Sequence, residues 1–230
     1  MARFCAGVLL VLFGACLLYA QTAATPLSDP QATAIAQQSI AALTGGQPVS
    51  DISLGANVTW LAGSDDVTGT GSLQAKGPSE SRLDLSLGDS SRTEIRALSD
   101  GFPTGTWATG GATPQPIAIH NSWTDAAWFF PALSSLGQST NPDFVFSYIG
   151  QEQHGSVNTQ HIRAYQILPQ DTKNLFQVPR LSTTDIYLDS SSFLPVAITF
   201  KVHPDNDMKT DIPTEVRLAN YQLVNGFQIR

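Results

Sequence analysis

The feature that most constrains this chain is a period of two in its hydrophobicity. Ile52, Leu54, Ala56, Val58 and Trp60 alternate without a break with Ser53, Gly55, Asn57 and Thr59. Leu83, Leu85 and Leu87 alternate with Arg82, Asp84 and Ser86, and Thr93, Ile95 and Ala97 with Arg92, Glu94 and Arg96. Successive side chains of a strand point to opposite faces, so strict alternation specifies strands with one wet and one dry face, the habit of antiparallel sheet. Glycine-rich stretches at 69–71 and 88–89 are read as turns between these runs, which makes a meander rather than a series of βαβ units.

The remaining elements follow from punctuation. Residues 30–44 are expected to form a helix, with Ser28 and Asp29 supplying side-chain oxygens that can accept as caps, Pro30 in the first turn and Gly45-Gly46 as the stop. Its apolar stripe (Ala34, Ile35, Ile40, Leu43) is modest, as for a helix that lies on something. The segment 101–143 holds a short strand at Gly105–Thr109, a loop, and a short helix from about Thr124 to Leu136 that carries Trp128, Phe129, Leu133 and Leu136. Strands are expected again at Phe144–His154, His161–Leu168, Thr183–Leu188, Val196–His203 and Thr214–Tyr221. Asn225-Gly226 is a tight turn that requires positive φ, and Phe227–Arg230 starts one more strand.

The N-terminus is built for export. One positive charge at Arg3 precedes an apolar run from Phe4 to Ala20, shorter than the roughly 20 apolar residues of a comfortable membrane span. A cleavable signal peptide over 1–20 is expected, with the cut after Ala20 (Ala24 as the second choice) and a single domain over 21–230. Phe13-Gly14-Ala15-Cys16 carries the rival reading, a lipoprotein signal with Cys16 lipidated, although Leu17-Leu18-Tyr19 continues the apolar core past that cysteine. Both cysteines of the chain, Cys5 and Cys16, lie in this segment. A domain cut after Ala20 therefore has no disulfide, thiolate nucleophile or cysteine metal site, and no transmembrane span.

No constellation for catalysis emerges, and no cofactor is expected. The formal net charge of −7 argues against a nucleic-acid partner, whose binding is dominated by basic side chains. His154 and His161 flank a hairpin, but zinc needs three or four ligands and spacing supplies no third. His203 beside Pro204-Asp205 has no serine in a G-x-S-x-G elbow to serve. Asp65-Asp66 and Asp205-Asn206-Asp207 lack the spacing of a calcium loop and read as solvated turns. Asn57-Val58-Thr59 matches a glycosylation triplet. The cluster Trp123, Trp128, Phe129 and Phe130 either plugs a core or lines an apolar cavity; the two look alike in sequence.

The tail carries a family resemblance. Asp185-Ile186-Tyr187-Leu188-Asp189, then Ser192-Phe193-Leu194-Pro195-Val196, then Val216-Arg217-Leu218-Ala219-Asn220-Tyr221, then Val224-Asn225-Gly226 make a strand, an acidic turn, a Leu-Pro pair, a second strand, a third with an aromatic, and an "NG" turn. This order resembles the periplasmic lipoprotein-carrier superfamily, the fold of the LolA-type carriers and their lipid-binding relatives. Two departures stand out. Such domains continue past the "NG" turn with a full strand, whereas here either the last edge is short or the sequence is truncated. The turn also reads Ser191-Ser192-Phe193 where Thr-Gly is common.

The resemblance implies a mainly β (α+β) fold: a curved antiparallel half-barrel with its apolar concave face covered by the N-terminal helix and a short helix. Alternation assigns that face Ile52, Leu54, Val58 and Trp60 from the first run, and Leu83 and Leu85 from the second. The tail contributes Ile186, Leu188, Val196, Ile198, Phe200, Val216 and Leu218, and the lid Trp128, Phe129 and Leu133. The function implied is a non-catalytic, periplasmic or secreted binder or carrier of an apolar ligand, a lipid or an acylated protein. The alternatives are a secreted structural or interaction domain with no ligand cavity, and a hydrolase with a convergent Asp/His/Ser site.

Overall fold

The computed structural model describes residues 27–168 and 177–230. The expected signal peptide, its cut site and Cys16 lie outside the described residues. Among the described residues no helix is long and apolar enough to cross a membrane.

Helix α1 (Pro30–Thr44) spans the residues its punctuation predicts. Asp29 is the N-cap and accepts from the Gln31 amide at 2.7 Å, Pro30 opens the first turn, and Gly45 closes the helix at φ 61°. Ser28 does a different job from the cap expected of it. Its hydroxyl donates to the Phe144 carbonyl and accepts from the Phe146 amide at 3.0 Å, which fastens the start of α1 to a strand of the core.

The strands form two open antiparallel sheets and a hairpin. A six-stranded meander contains β1 (Asp51–Ala62), β2 (Asp65–Lys76), β3 (Glu80–Leu87), β4 (Ser90–Ser99), β5 (Phe102–Thr109) and the two-residue β6 (Gln115–Pro116) in sequence order. A five-stranded sheet has the order β11-β10-β9-β8-β7, from β7 (Phe144–His154), β8 (Val157–Gln166), β9 (Thr184–Asp189), β10 (Pro195–Val202) and β11 (Ile212–Arg217). The hairpin of β12 (Gln222–Val224) and β13 (Phe227–Ile229) turns at Asn225 and Gly226, both at positive φ as the dipeptide predicts. A four-residue helix α2 (Val178–Leu181) precedes β9.

Two expectations are corrected here. The glycines at 69–71 are not a turn: Gly69 and Gly71 sit inside β2, paired with Leu87 and Leu85 of β3. The Thr124–Leu136 stretch is not an α-helix but a run of turns that ends in a 3-10 helix at Ser135–Gln138. Pro131 removes a backbone donor where a helix would need one, and Asp125 bonds across the segment to the Ser135 amide and hydroxyl at 3.0 and 2.6 Å.

The core lies between the five-stranded sheet, α1 and this turn-rich segment. Phe146, Ile162, Ile186, Leu188 and Ile198 pack from the sheet, Ala36 and Leu43 from the helix, and Phe130, Leu133 and Leu136 from the segment. The six-stranded sheet reaches this core through Ala75, with Ile52 packed at its margin. A second small cluster, Trp123 with Val178 and Leu181, closes the α2 side.

Candidate functional site

Antiparallel partners point to the same face, so the registers give the inner surface of the six-stranded sheet row by row. The first row, against the core, is Ile52, Ala75, Ser81 and Arg96. Moving outward, the next is Leu54, Leu73, Leu83 and Glu94, continued by Trp107, followed by Ala56, Gly71, Leu85 and Arg92. The last two are Val58, Gly69, Leu87 and Ser90, then Trp60 and Val67 at the tip. Beyond the first row these apolar side chains are half-exposed, and Trp60 is 53% exposed. An apolar face of three strands, β1 to β3, roughly 20 Å long from Leu54 to Trp60 at about 3.3 Å per residue, thus extends past the core without cover from the described residues.

The glycines shape this face. A side chain added at Gly71 would meet Val58 Cγ2 at 3.2 Å and Leu85 Cδ2 at 3.3 Å, so its absence lets the neighbouring apolar side chains close over the strand. At the core end an open cleft of about 360 Å³ lies where β1 begins and β2 ends, with Ile52, Ala75, Ser81 and Arg96 among its lining and Lys76, Glu80 and Arg82 beside them.

The third expected apolar run is inverted. Ile95, expected on the dry face with Thr93 and Ala97, is 39% exposed on the opposite face, and Arg92, Glu94 and Arg96 point inward beside the leucines of β3. Their charges are partnered. Arg96 donates to Glu94 Oε1 at 2.9 Å, and its Nη1 donates to the Asn121 and Thr124 carbonyls at 3.2 Å and to the Thr124 hydroxyl at 2.9 Å. Arg92 lies over the Trp107 ring, 4.9 Å from its centroid. This charged wall bounds the apolar face and ties it to the turn-rich segment.

The structure divides the predicted ligand residues into two groups. Leu54, Val58, Trp60, Leu83 and Leu85, with Ile52 at their margin, belong to the open face. Leu133, Ile186, Leu188, Ile198 and Leu218 are buried in the core, with Phe129, Phe200 and Val216 packed half-buried against it. Trp128 stands edge-on to Phe129 at 5.5 Å, and Val196 sits at the irregularity where the β9–β10 register shifts. The turn-rich segment lies against the five-stranded sheet and α1, so the expected lid covers the tail residues and leaves the first runs open.

The His154 and His161 pair read from the hairpin belongs to a larger cluster on the outer face of the five-stranded sheet, whose other members sequence reasoning missed. The Tyr187 ring is sandwiched by His154 at 4.1 Å and His161 at 4.4 Å. His161 Nδ1 faces the Glu152 carboxylate and Nε2 lies 2.8 Å from Asp185 Oδ1, which Arg163 also binds. Burial works against the Asp185 charge, but the bonds from His161 and Arg163 hold its carboxyl below the usual range. The register shift between Tyr148 and Gly150 brings Glu152 to that face; a mid-strand glycine was its only signal. Elsewhere His203 is buried beside the His120 ring, and its Nε2 lies 3.2 Å from Asp211 Oδ1 without hydrogen-bond geometry. Burial, then the Arg180 charge, pushes its pKa down. Among the described residues no group of three or more His, Cys, Asp or Glu is arranged to hold a metal.

Comparison with solved structures gives the fold a context. The chain is similar to a DUF1329 family protein from Desulfovibrio piger, with a TM-score of 0.50 and 9% identity over 88% of this chain and 84% of that one. It is also similar to a LolA superfamily protein from Nitrosomonas europaea, with a TM-score of 0.49 and 9% identity over 86% of this chain and 81% of that one. At these identities the likeness is one of fold. No protein-family profile and no curated protein matches the sequence.

Proposed function

We propose that this chain is an extracytoplasmic binding or carrier protein for an apolar ligand, a lipid or a lipid-modified protein, and that it performs no chemistry on it. The observation that carries the reading is the uncovered inner face of the six-stranded sheet, apolar from Leu54 to Trp60 on β1 and from Leu83 to Leu87 on β3. Soluble proteins seldom leave a contiguous apolar patch of this kind open unless something binds there. Covering it with an acyl chain gains roughly 0.8 kcal/mol per CH₂, on the order of 10 kcal/mol for about 14 carbons before ordering costs. The export signal read from residues 1–20 and the lipoprotein-carrier resemblance of the tail support the same reading.

The packed tail half of the predicted ligand set favours a second reading, a secreted interaction domain whose inner face is simply core. The Ala56→Phe variant separates the two. Ala56 is half-exposed and lies opposite Gly71. On an open ligand-binding face the phenyl ring is accommodated with a stability change within about 0.5 kcal/mol, while uptake of a fluorescent fatty acid falls. On a closed core the same change overpacks and costs about 1–3 kcal/mol. Native mass spectrometry and solvent extraction of the wild-type protein are expected to show bound lipid. A protein that carries none and takes up no acyl probe is not a lipid binder.

A further inference from the structure

The first strand of the meander is an edge, and it lacks the devices that guard edges. β1 pairs with β2 on one side, and among the described residues no strand pairs with the other. It is 12 residues long, and its register with β2 runs from Asp51 to Ala62 without a bulge. Natural sheets blunt such an edge with lysine, proline, inward charge, a bulge or a short strand. From Ile52 to Ala62 there is no Lys, Arg, Asp, Glu or Pro.

We propose that β1 is a self-association edge, on which two copies of the chain pair their β1 strands antiparallel about a twofold axis through Ala56. The strand is self-complementary about that residue. With Ala56 opposite its own copy, Leu54 meets Val58 and Ile52 meets Trp60 on the inner face, while Gly55 meets Asn57 and Ser53 meets Thr59 on the outer. A twofold axis normal to the sheet keeps the two inner faces on the same side, so the apolar rows continue from one six-stranded sheet into the other. Every contact is made twice, as an isologous interface requires.

Self-complementarity about Ala56 selects the copy over other partners, and charge does not oppose it at the edge. A basic peptide finds no complement along an uncharged edge, although the whole chain carries −7, and a second copy brings no like charge into the pairing. Full pairing supplies about ten main-chain hydrogen bonds, the number a standard interface carries, and adds cover for Trp60, 53% exposed in the single chain. The inference stands apart from the ligand reading, since the edge pairs whether or not the inner face is occupied.

Light scattering and sedimentation of the purified protein over a concentration series test it. The wild type is expected at twice the monomer mass, dissociating on dilution. Asn57→Lys places two lysines diagonally across the axis on the exposed outer face, and the double variant Gly55→Lys/Asn57→Lys sets lysines directly opposite one another; the first is expected to weaken association by roughly tenfold and the second by roughly 100-fold, with the thermal midpoint of the monomer retained. Ser86→Lys, on the outer face of β3 away from the edge, leaves the dimer intact. A wild type that stays monomeric throughout, or lysine variants at 55 and 57 that dimerise as before, overturns the proposal.

Discussion

Asp125→Asn is expected to stabilise the protein at pH 7 by about 1–3 kcal/mol and to leave its stability at pH 4 nearly unchanged. Asp125 is buried at the start of the turn-rich segment. One oxygen accepts the Ser135 amide and hydroxyl, while Oδ2 has no partner. Burial raises its pKa to about 6, against the pull of the Ser135 bonds and the Arg96 charge. A carboxyl whose folded pKa exceeds its unfolded one favours folding most below the unfolded value, near 4, and loses that contribution as pH rises through about 6. Ionisation at neutral pH thus costs on the order of 3 kcal/mol. Asparagine keeps an acceptor for both Ser135 donors and carries no charge.

The pH window belongs to this residue among the carboxyls. Asp189 is held down at about 2, first by its Ser191 hydroxyl bond and then by the Ser192 amide. Asp84 is held below its usual range first by the Arg82 bond. Groups of this kind stabilise above their unfolded pKa and lose that contribution only as pH falls below about 4. His203, with its pKa lowered, also loses stability toward acid, but identically in wild type and variant. Denaturant midpoints at pH 4 to 8 for the pair isolate Asp125: the wild-type deficit should open between pH 4 and 6. An Asn variant less stable than wild type at pH 7 would show that the ionised carboxylate is a net support.

What the sequence disclosed depended on whether local chemistry and tertiary structure agreed. Helix α1 was readable to its ends because Asp29, Pro30 and Gly45 are local signals with local effects. The β1 alternation was readable because one face of that strand is wet throughout. The β4 faces were misassigned because apolar residues were followed without counting through the turn. Leu87 pairs with Ser90 across a two-residue connection at Gly88 and Asp89, and that count alone places Arg92, Glu94 and Arg96 with the leucines. The register therefore outranks hydrophobicity there, and the four acceptors around Arg96 offset the burial of its charge. The Thr124–Leu136 segment misled because its apolar residues were counted as a helix, while Pro131 and the Asp125–Ser135 bonds specify turns. The open face itself was legible residue by residue, but which half of the predicted set lay under cover was not, since a cavity wall and a core have the same composition.

Gly69→Ala is expected to cost 3 kcal/mol or more, or to part β2 from β3 beyond that point, while Gly55→Ala costs nothing measurable. The three glycines of the β1–β2 ribbon look alike in sequence and differ in space. A methyl at Gly55 meets nothing within 4 Å, and one at Gly71 is tight against the ends of the Val58 and Leu85 side chains, which can give, with the Asp84 carbonyl at an ordinary contact distance of 3.8 Å. At Gly69 it would stand 1.8 Å from the Ser86 carbonyl oxygen and 3.0 Å from the Leu87 Cα, both backbone of the paired strand. No rotamer change relieves a clash with backbone, so the strands must separate there. The pairs lost, Gly69 with Leu87 and Thr70 with Ser86, hold the outer end of β3 to the β1–β2 ribbon. The apolar face is continuous only while they are intact. Equilibrium unfolding of the three alanine variants should therefore rank Gly55, Gly71, Gly69 in rising cost, with backbone entropy giving Gly55→Ala a gain of up to about 1 kcal/mol. Hydrogen exchange on Gly69→Ala should show protection lost at the outer end of β3 while the five-stranded sheet keeps its own. A Gly69→Ala protein as stable as wild type would mean that β2 and β3 do not approach this closely, and the inner face would then be broader than the row geometry allows.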